Sequence, residues 1–231
     1  MRTNVVLRAV ALALAALALA GCGAQPQQVA LGGTKAADTA EQRGTVERPW
    51  GTVKTFPRLQ KAEPPSAADV VFTRDMIMHH RQAVELSENV RTHRDLEARI
   101  SSAARFIIQD QKNEITTMRA WLQAWQDSAG SGSQEHEHGA DPMPGMLAQA
   151  RVDEIATLGR SAAEVAFLVA MIEHHEGAIT MAQDYLPEQS NAFVRSTATH
   201  IIGEQTTEIA YMRNLVQERC ESQGPPTCPR G

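Results

Sequence analysis

The 231-residue sequence lacks the excess of basic residues that nucleic-acid-binding proteins use to contact phosphates. It has 22 Lys and Arg residues against 27 Asp and Glu residues, which gives a formal net charge of −5. It also lacks a recognisable nucleophile motif, a cofactor-binding glycine loop and a paired catalytic acid and base. These absences argue against nucleic acid as a partner, and they predict a binding protein rather than an enzyme.

The apolar run over residues 10–20 is too short to span a membrane stably, and it follows Arg2 and Arg8. It ends in Leu-Ala-Gly before Cys22, a pattern that resembles a bacterial lipobox. We therefore predict a signal peptide over residues 1–21, whose removal leaves 20 basic and 27 acidic residues, a formal charge of −7. Acyl chains on Cys22 would then anchor the protein to the extracytoplasmic face of the membrane. A plain secretory signal with a chance cysteine is the alternative.

Cysteine is otherwise confined to the C-terminal tail, residues 220–231. Outside the cytoplasm, Cys220 and Cys228 are predicted to form a disulfide that closes a short loop. A cysteine-based metal site is the alternative, although the gap of seven residues between them is not a usual zinc spacing.

Strand patterns of useful length are absent too. Residues 22–63 are rich in Gln, Gly, Ala, Thr and Pro and have no apolar period, so they are predicted to be a flexible tether in which Trp50 and Phe56 are incidental. From residue 64 onward, apolar residues recur at alternating spacings of four and three, which is typical of amphipathic helices. Capping-box patterns at Ser66 and Ser161 mark two helix starts.

The periodicity predicts four long helices, over residues 66–91, 95–127, 161–185 and 188–219, and a short helix that ends near residue 158. They form two hairpins, over 64–127 and 161–219, joined by a crossover over 128–160. Short turn, long crossover and short turn predict an all-α, ferritin-like antiparallel four-helix bundle over residues 64–219.

The two hairpins carry the same motifs. Met76-Ile-Met-His79-His80 in the first helix matches Met171-Ile-Glu-His174-His175 in the third, and Gln-x-x-Glu-Ile-x-x-Met-Arg occurs once in each partner helix. These polar residues fall near the middle of otherwise apolar helix faces. Because buried polar groups need partners, we expect them to form one polar layer across the bundle.

The layer predicts a metal site, since imidazole and thioether groups together suit Cu(I). The candidate ligands are His79, His80, His174, His175, Met76, Met171, Glu114 and Glu208, and the candidates around them are Gln111, Gln205, Met118 and Met212. The alternative is a structural layer in which histidines bond to Glu or Gln and fix the register of the helices. A di-iron enzyme would need Glu-x-x-His on two helices, which neither hairpin has. Glu135-His-Glu-His138 in the crossover indicates a solvated loop, and His93 and His200, which have no counterpart in the other hairpin, indicate structural roles.

The paired motifs, with Met143-Pro-Gly-Met146 between them, resemble the bacterial secreted family named domain of unknown function 305, over about residues 66–219. The resemblance implies a ferritin-like bundle and, from some family members, copper binding outside the cytoplasm. By that resemblance, Met143 and Met146 join the candidate ligands. The expected function is copper sequestration, or handover to a metal-transfer partner, by a lipid-anchored protein.

Overall fold

The computed structural model describes residues 44–59, 63–129, 143–188 and 191–223. The predicted signal peptide, the acylated Cys22, the Glu135–His138 segment and Cys228 lie outside these ranges. The elements are β1 (Thr45–Arg48), β2 (Gly51–Lys54), α1 (Ala67–Val90), α2 (Ala98–Ala129), α3 (Gln149–Thr157), α4 (Arg160–Tyr185), a 3₁₀ turn (Leu186–Glu188) and α5 (Ala192–Gln223). The chain is therefore mostly helical, as predicted.

Helix α1 begins as its sequence predicts. Ser66 is the N-cap, its side chain accepts a bond from the Asp69 backbone, and the Asp69 carboxylate bonds back to the Ser66 backbone. The matching prediction for α4 is wrong, because its N-cap is Gly159 and Ser161 lies inside the first turn. The acid expected to complete that capping box, Glu164, is fully buried.

The four long helices are antiparallel to their neighbours. Each adjacent pair is joined by side-chain contacts, namely Glu88–Lys112 for α1 and α2, Phe72–Tyr185 for α1 and α4, Glu176–Arg213 for α4 and α5, and Trp121–Phe193 for α2 and α5. This arrangement is the predicted bundle, with α3 in the connection between the hairpins.

The core consists of two apolar clusters with a polar layer between them. One cluster includes Leu86, Ile107 and Phe167, and the other includes Ile77 and Trp121. On each long helix, the buried polar motif residues fall between the segments that belong to the two clusters. The polar layer predicted from the sequence therefore lies between the two apolar clusters, about halfway along the bundle.

The prediction of an unstructured tether is wrong for its last part. Strands β1 and β2 form an antiparallel hairpin, with Val46 opposite Val53. Trp50, expected to be incidental, packs edge-on against Phe106 and Tyr211, with ring centroids 6.4 and 6.2 Å apart. Aromatic surface removed from water in this way anchors the segment to α2 and α5.

A second aromatic residue and a salt bridge reinforce this anchor. Phe56, also expected to be incidental, lies 5.2 Å from the ring of His200 and 6.4 Å from that of Phe193. Arg48 donates two hydrogen bonds of 2.5 Å to the Asp110 carboxylate. The hairpin is thus fixed to the bundle on both sides of its turn.

Two further features concern the ends of the described chain. No helix within the described ranges is both long enough and apolar enough to cross a membrane. Cys220 takes part in a disulfide bond, and the partner predicted for it, Cys228, is outside the described residues.

Candidate metal site

The four motif histidines occupy the middle of the polar layer, and none of them is exposed. His79 of α1 and His174 of α4 face each other with ring centroids 3.8 Å apart and planes tilted by 44°. Successive residues on a helix point about 100° apart. His80 and His175 therefore point away from this pair, toward the partner helix of their own hairpin.

Each outward-pointing histidine meets the glutamate of its own hairpin. His80 Nε2 lies 2.6 Å from Glu114 Oε2 on α2, and His175 Nε2 lies 2.6 Å from Glu208 Oε2 on α5. The repeated sequence motif therefore makes the same His–Glu contact in both hairpins. Glu114 and Glu208, predicted as ligands, are thus hydrogen-bonded to the predicted histidine ligands.

In the facing pair, His79 bonds to a backbone carbonyl group rather than to a carboxylate. His79 Nε2 lies 2.9 Å from the backbone oxygen of Pro144 in the crossover loop. A carbonyl oxygen can only accept a hydrogen bond, so Nε2 of His79 carries the proton and its Nδ1 carries the lone pair. His174 has no hydrogen-bond partner at either ring nitrogen among the described residues.

The Nδ1 atoms of all four histidines are buried and have no hydrogen-bond partner among the described residues. Metal-binding histidines commonly use one nitrogen for the metal while the other bonds to a carboxylate or a carbonyl. Three of the four histidines have this arrangement. The fourth, His174, has no such outer bond among the described residues, so either of its nitrogens could carry the lone pair.

The histidines do not form a prebuilt three-ligand chelate. Within the described residues, the one group of three His, Cys, Asp or Glu side chains whose ligand atoms lie within 4.8 Å of one another contains none of the four. A metal in this layer would use two facing imidazoles, supplemented by thioethers or by a small shift of the rings. That donor set suits a soft ion that accepts few ligands, such as Cu(I).

The predicted thioether ligands flank the histidines. Met76 and Met171, each three residues before the facing histidine, are fully buried and belong to opposite apolar clusters. A thioether therefore lies on each side of the imidazole layer. Met118 and Met212 are buried in the same way, one in each cluster.

The predicted amide residues complete the layer. Gln111 and Gln205 are 4 % and 3 % exposed, and their side-chain oxygens have no hydrogen-bond partner among the described residues. Met143 and Met146 are half-buried in the crossover loop. The structure thus brings the histidines, glutamates and glutamines together and places this loop beside them.

The loop reaches the histidines because a glycine admits it. A Cβ atom on Gly177 would lie 2.2 Å from the Pro144 oxygen and 2.4 Å from Gly145 Cα. Gly145 has a φ of 74°, and a Cβ there would lie 2.7 Å from the His174 backbone oxygen. The position equivalent to Gly177 in α1 is Gln82, whose amide holds the end of the same loop through two bonds to the Leu147 backbone, of 2.9 and 2.8 Å.

Burial favours the neutral form of His79, His174 and His175. It lowers the pKa of His79 to about 4, although the bond to Pro144 acts the other way, and it lowers the pKa of His175 to about 3. Burial, with the neighbouring His79, also lowers the pKa of His174 well below its ordinary value. Neutral imidazole is the form that binds a metal ion.

The pKa values of the two glutamates of the layer are shifted in opposite directions. Burial alone would raise the pKa of Glu114, but hydrogen bonds from His200 and His80 lower it to about 2. Burial, with Glu204 and Glu114 nearby, raises the pKa of Glu208 well above its ordinary value. The surroundings therefore favour the ionised form of Glu114 and the protonated form of Glu208.

The source of this difference is a cluster that the sequence interpretation missed. His200 Nε2 lies 3.2 Å from Glu114 Oε1 and 2.6 Å from Glu204 Oε2. Burial lowers the pKa of His200, but these two bonds outweigh it and raise the pKa to about 9. The signal that could have identified this cluster was the spacing of four residues between His200 and Glu204, which places both on one face of a helix.

The sequence profile described as "Domain of unknown function (DUF305)" matches residues 69–216. A DUF305 protein from Streptomyces coelicolor, described as secreted, is 35 % identical with a TM-score of 0.58, over 66 % of this chain and 93 % of that one. A DUF305 fragment from Deinococcus radiodurans is 29 % identical with a TM-score of 0.58, over 68 % and 99 % of the two chains.

The chain is also similar to a protein called CopM in its Cu(I)-bound form. The identity is 25 % and the TM-score 0.51, over 65 % of this chain and 96 % of CopM. No protein of curated function matches the sequence.

Proposed function

This chain belongs to the DUF305 family, and from that premise we propose that it binds Cu(I) outside the cytoplasm, for sequestration or for handover to another protein. The proposed site is the facing pair His79 and His174, with the thioethers of Met76 and Met171 beside it. The function is binding rather than catalysis. Copper is the cargo, and the protein supplies a dry, neutral donor set.

The observation that carries the proposal is the set of buried imidazole nitrogens. The Nδ1 atoms of the four motif histidines have no hydrogen-bond partner among the described residues, and an unpaired buried polar atom costs about 1–3 kcal/mol. A soft metal ion between the facing rings would use one lone pair from His79 and one from His174. The outer bonds from His80 to Glu114 and from His175 to Glu208 would hold the neighbouring rings in place.

The likeness to CopM supports the same assignment. That protein has been crystallised with Cu(I) and with Cu(II), at TM-scores of 0.51 and 0.50 to this chain.

A Cu(I) competition titration tests the proposal. We expect the His79→Ala/His174→Ala double variant to bind Cu(I) more than about 100-fold more weakly than the unaltered protein, because both facing ligands are lost. His93→Gln is the control, since His93 bonds to the Ile155 backbone, 2.8 Å away in the crossover, and lies outside the layer. Equal Cu(I) affinity in the double variant and the control would exclude the facing pair as the site.

A structural layer without metal is the second candidate. The bonds from His80 to Glu114 and from His175 to Glu208 favour it, because they satisfy part of the layer with protein groups alone. The two candidates differ in thermal denaturation. Excess Cu(I) raises the Tm of a protein that binds it in the folded core, and it leaves the Tm of a purely structural layer unchanged.

We also propose that acylated Cys22 holds the protein at the outer face of the membrane. The lipobox pattern and the secreted relative from Streptomyces coelicolor support an extracytoplasmic location. Detergent phase partitioning of the expressed protein tests the anchor. The unaltered chain is expected in the detergent phase and Cys22→Ser in the aqueous phase, whereas equal partitioning would rule the anchor out.

A further inference from the structure

A second group of metal-capable side chains lies beside the histidine layer, between α2 and α5. It consists of Glu114, His200 and Glu204, whose ligand atoms all lie within 4.8 Å of one another. The side chains of His200 and Glu204 are 6 % and 9 % exposed, so the group is almost closed to solvent yet lies nearer the surface than the four motif histidines.

Both ends of this group are held by contacts outside it. Glu114 uses one carboxylate oxygen toward His200 and the other toward His80 of the layer, 2.6 Å away. Phe56 of the N-terminal segment packs edge-on against the His200 ring at 5.2 Å. These contacts limit the rotamers of two of the three side chains, which lowers the entropy lost when a ligand orders them.

The other hairpin shows what this position looks like without such a group. The residue equivalent to His200 is Phe106, and the residue equivalent to Glu204 is Asp110, which is neutralised by the permanent cation Arg48. A guanidinium cannot give up its proton to make room for a metal. Among the described residues, His200 and Glu204 of the second hairpin together with Glu114 of the first are the three groups that could bind one ion.

We propose that Glu114, His200 and Glu204 form a separate site for a divalent first-row transition-metal ion. Two carboxylates and one imidazole are harder donors than the imidazole and thioether groups of the inner layer, and they suit Zn²⁺ or Co²⁺ better than Cu(I). Metal–ligand bonds of about 2.0–2.2 Å would need only small rotations of these side chains. Three protein ligands leave a fourth position open.

Co²⁺ is the probe, because its visible d–d absorption reports ligand geometry directly. The titration uses the mature chain carrying His79→Ala and His174→Ala, so that the inner layer contributes no facing imidazoles. We expect this background to bind Co²⁺ with a tetrahedral-type spectrum, and Zn²⁺ to displace it. Adding His200→Phe, which introduces the residue that the first hairpin has at the equivalent position, is expected to weaken Co²⁺ binding about 100-fold.

Two further variants separate loss of a ligand from loss of the fold. Glu204→Gln keeps the shape of the side chain and is expected to weaken Co²⁺ binding in the same background. Asp110→Asn, the matched change in the first hairpin, is expected to leave it unchanged. A background that shows no Co²⁺ spectrum, or equal binding by the Glu204 and Asp110 variants, would mean that the group is an ion pair only. Neither result depends on whether the inner layer binds Cu(I).

Discussion

The two halves of the histidine layer have the same motif and the same His–Glu contact, but the pKa values of their glutamates are shifted in opposite directions. His80 bonds to Glu114 and His175 bonds to Glu208, each at 2.6 Å between Nε2 and Oε2. The pKa of Glu114 is nevertheless lowered to about 2, whereas the pKa of Glu208 is raised well above its ordinary value. Identical motif residues therefore do not guarantee the same pKa.

The difference comes from residues that the motif does not include. Glu114 has a second donor, His200, which occupies the position of Phe106 in the other hairpin. Glu208 has no such second donor among the described residues, and burial, with the nearby carboxylates of Glu204 and Glu114, discourages its ionisation. The presence of His200 where the other hairpin has Phe106 thus favours ionisation of Glu114.

The largest expected effect separates the two glutamates directly. Glu114→Gln should lower the free energy of unfolding by about 3–5 kcal/mol at neutral pH, because it leaves the buried cation of His200 with one carboxylate fewer. Glu208→Gln should lower it by less than about 1 kcal/mol, because an amide has the shape of the protonated carboxyl and still bonds to His175. Urea unfolding measures both, and equal losses would show that the two halves carry the same charge.

The second comparison concerns Gly177 and Gln82, the equivalent residues of the two hairpins that contact the crossover loop. Gly177→Ala should destabilise the protein by about 1–3 kcal/mol and displace Pro144 from His79, because the added methyl group would overlap the loop backbone. Gln82→Ala in the other half removes two hydrogen bonds to Leu147 but creates no overlap. Exchange rates of the loop amides would distinguish the two, and an unperturbed loop in Gly177→Ala would contradict the close packing.

The third prediction uses pH. The pKa of His200 is raised to about 9, so its contribution to stability is fully present below its unfolded pKa of about 6.5 and is lost as pH rises toward 9. Between pH 7 and 9 we expect the free energy of unfolding to fall by up to about 1.4 kcal/mol per pH unit. His200→Phe should lower stability at pH 7 but flatten this slope. A slope that persists in the variant would assign the titration to another group.

The smallest expected effect concerns Arg48, the permanent cation that pairs with Asp110 of the first helical hairpin. Arg48→Met should cost about 1 kcal/mol, because it removes two charge-assisted bonds to Asp110 at a site only 11 % exposed. The Asp110 side chain keeps 11 % of its surface exposed, so water can still solvate part of its charge, which limits the loss of stability. Thermal denaturation measures the cost, and Cu(I) affinity should stay unchanged because Arg48 is outside the layer.

The sequence was sufficient for the helices and the polar layer because both follow from periodicity. Each of the four residues His79, Gln111, His174 and Gln205 lies near the middle of its helix. This position places them at one level of the bundle, regardless of the contacts that their side chains make. The sequence was also sufficient for the start of α1, where Ser66 and Asp69 act within one turn.

The features that were missed depend on contacts between distant segments. The partner of His79 is a backbone oxygen at Pro144, and a backbone atom leaves no trace in residue type. Strands β1 and β2 have four residues each, too few to show an alternating pattern. Ser161 resembles an N-cap locally, but Glu164 instead accepts a bond from the Glu97 backbone 2.6 Å away.

The close contact between Pro144 and Gly177 bears on the symmetry of the repeat. Two identical hairpins would present the same residue at position 82 and at position 177. A glycine at both would release the end of the loop, and a glutamine at both would block its entry. The cover over His79 therefore depends on a difference between two hairpins that otherwise share their motifs.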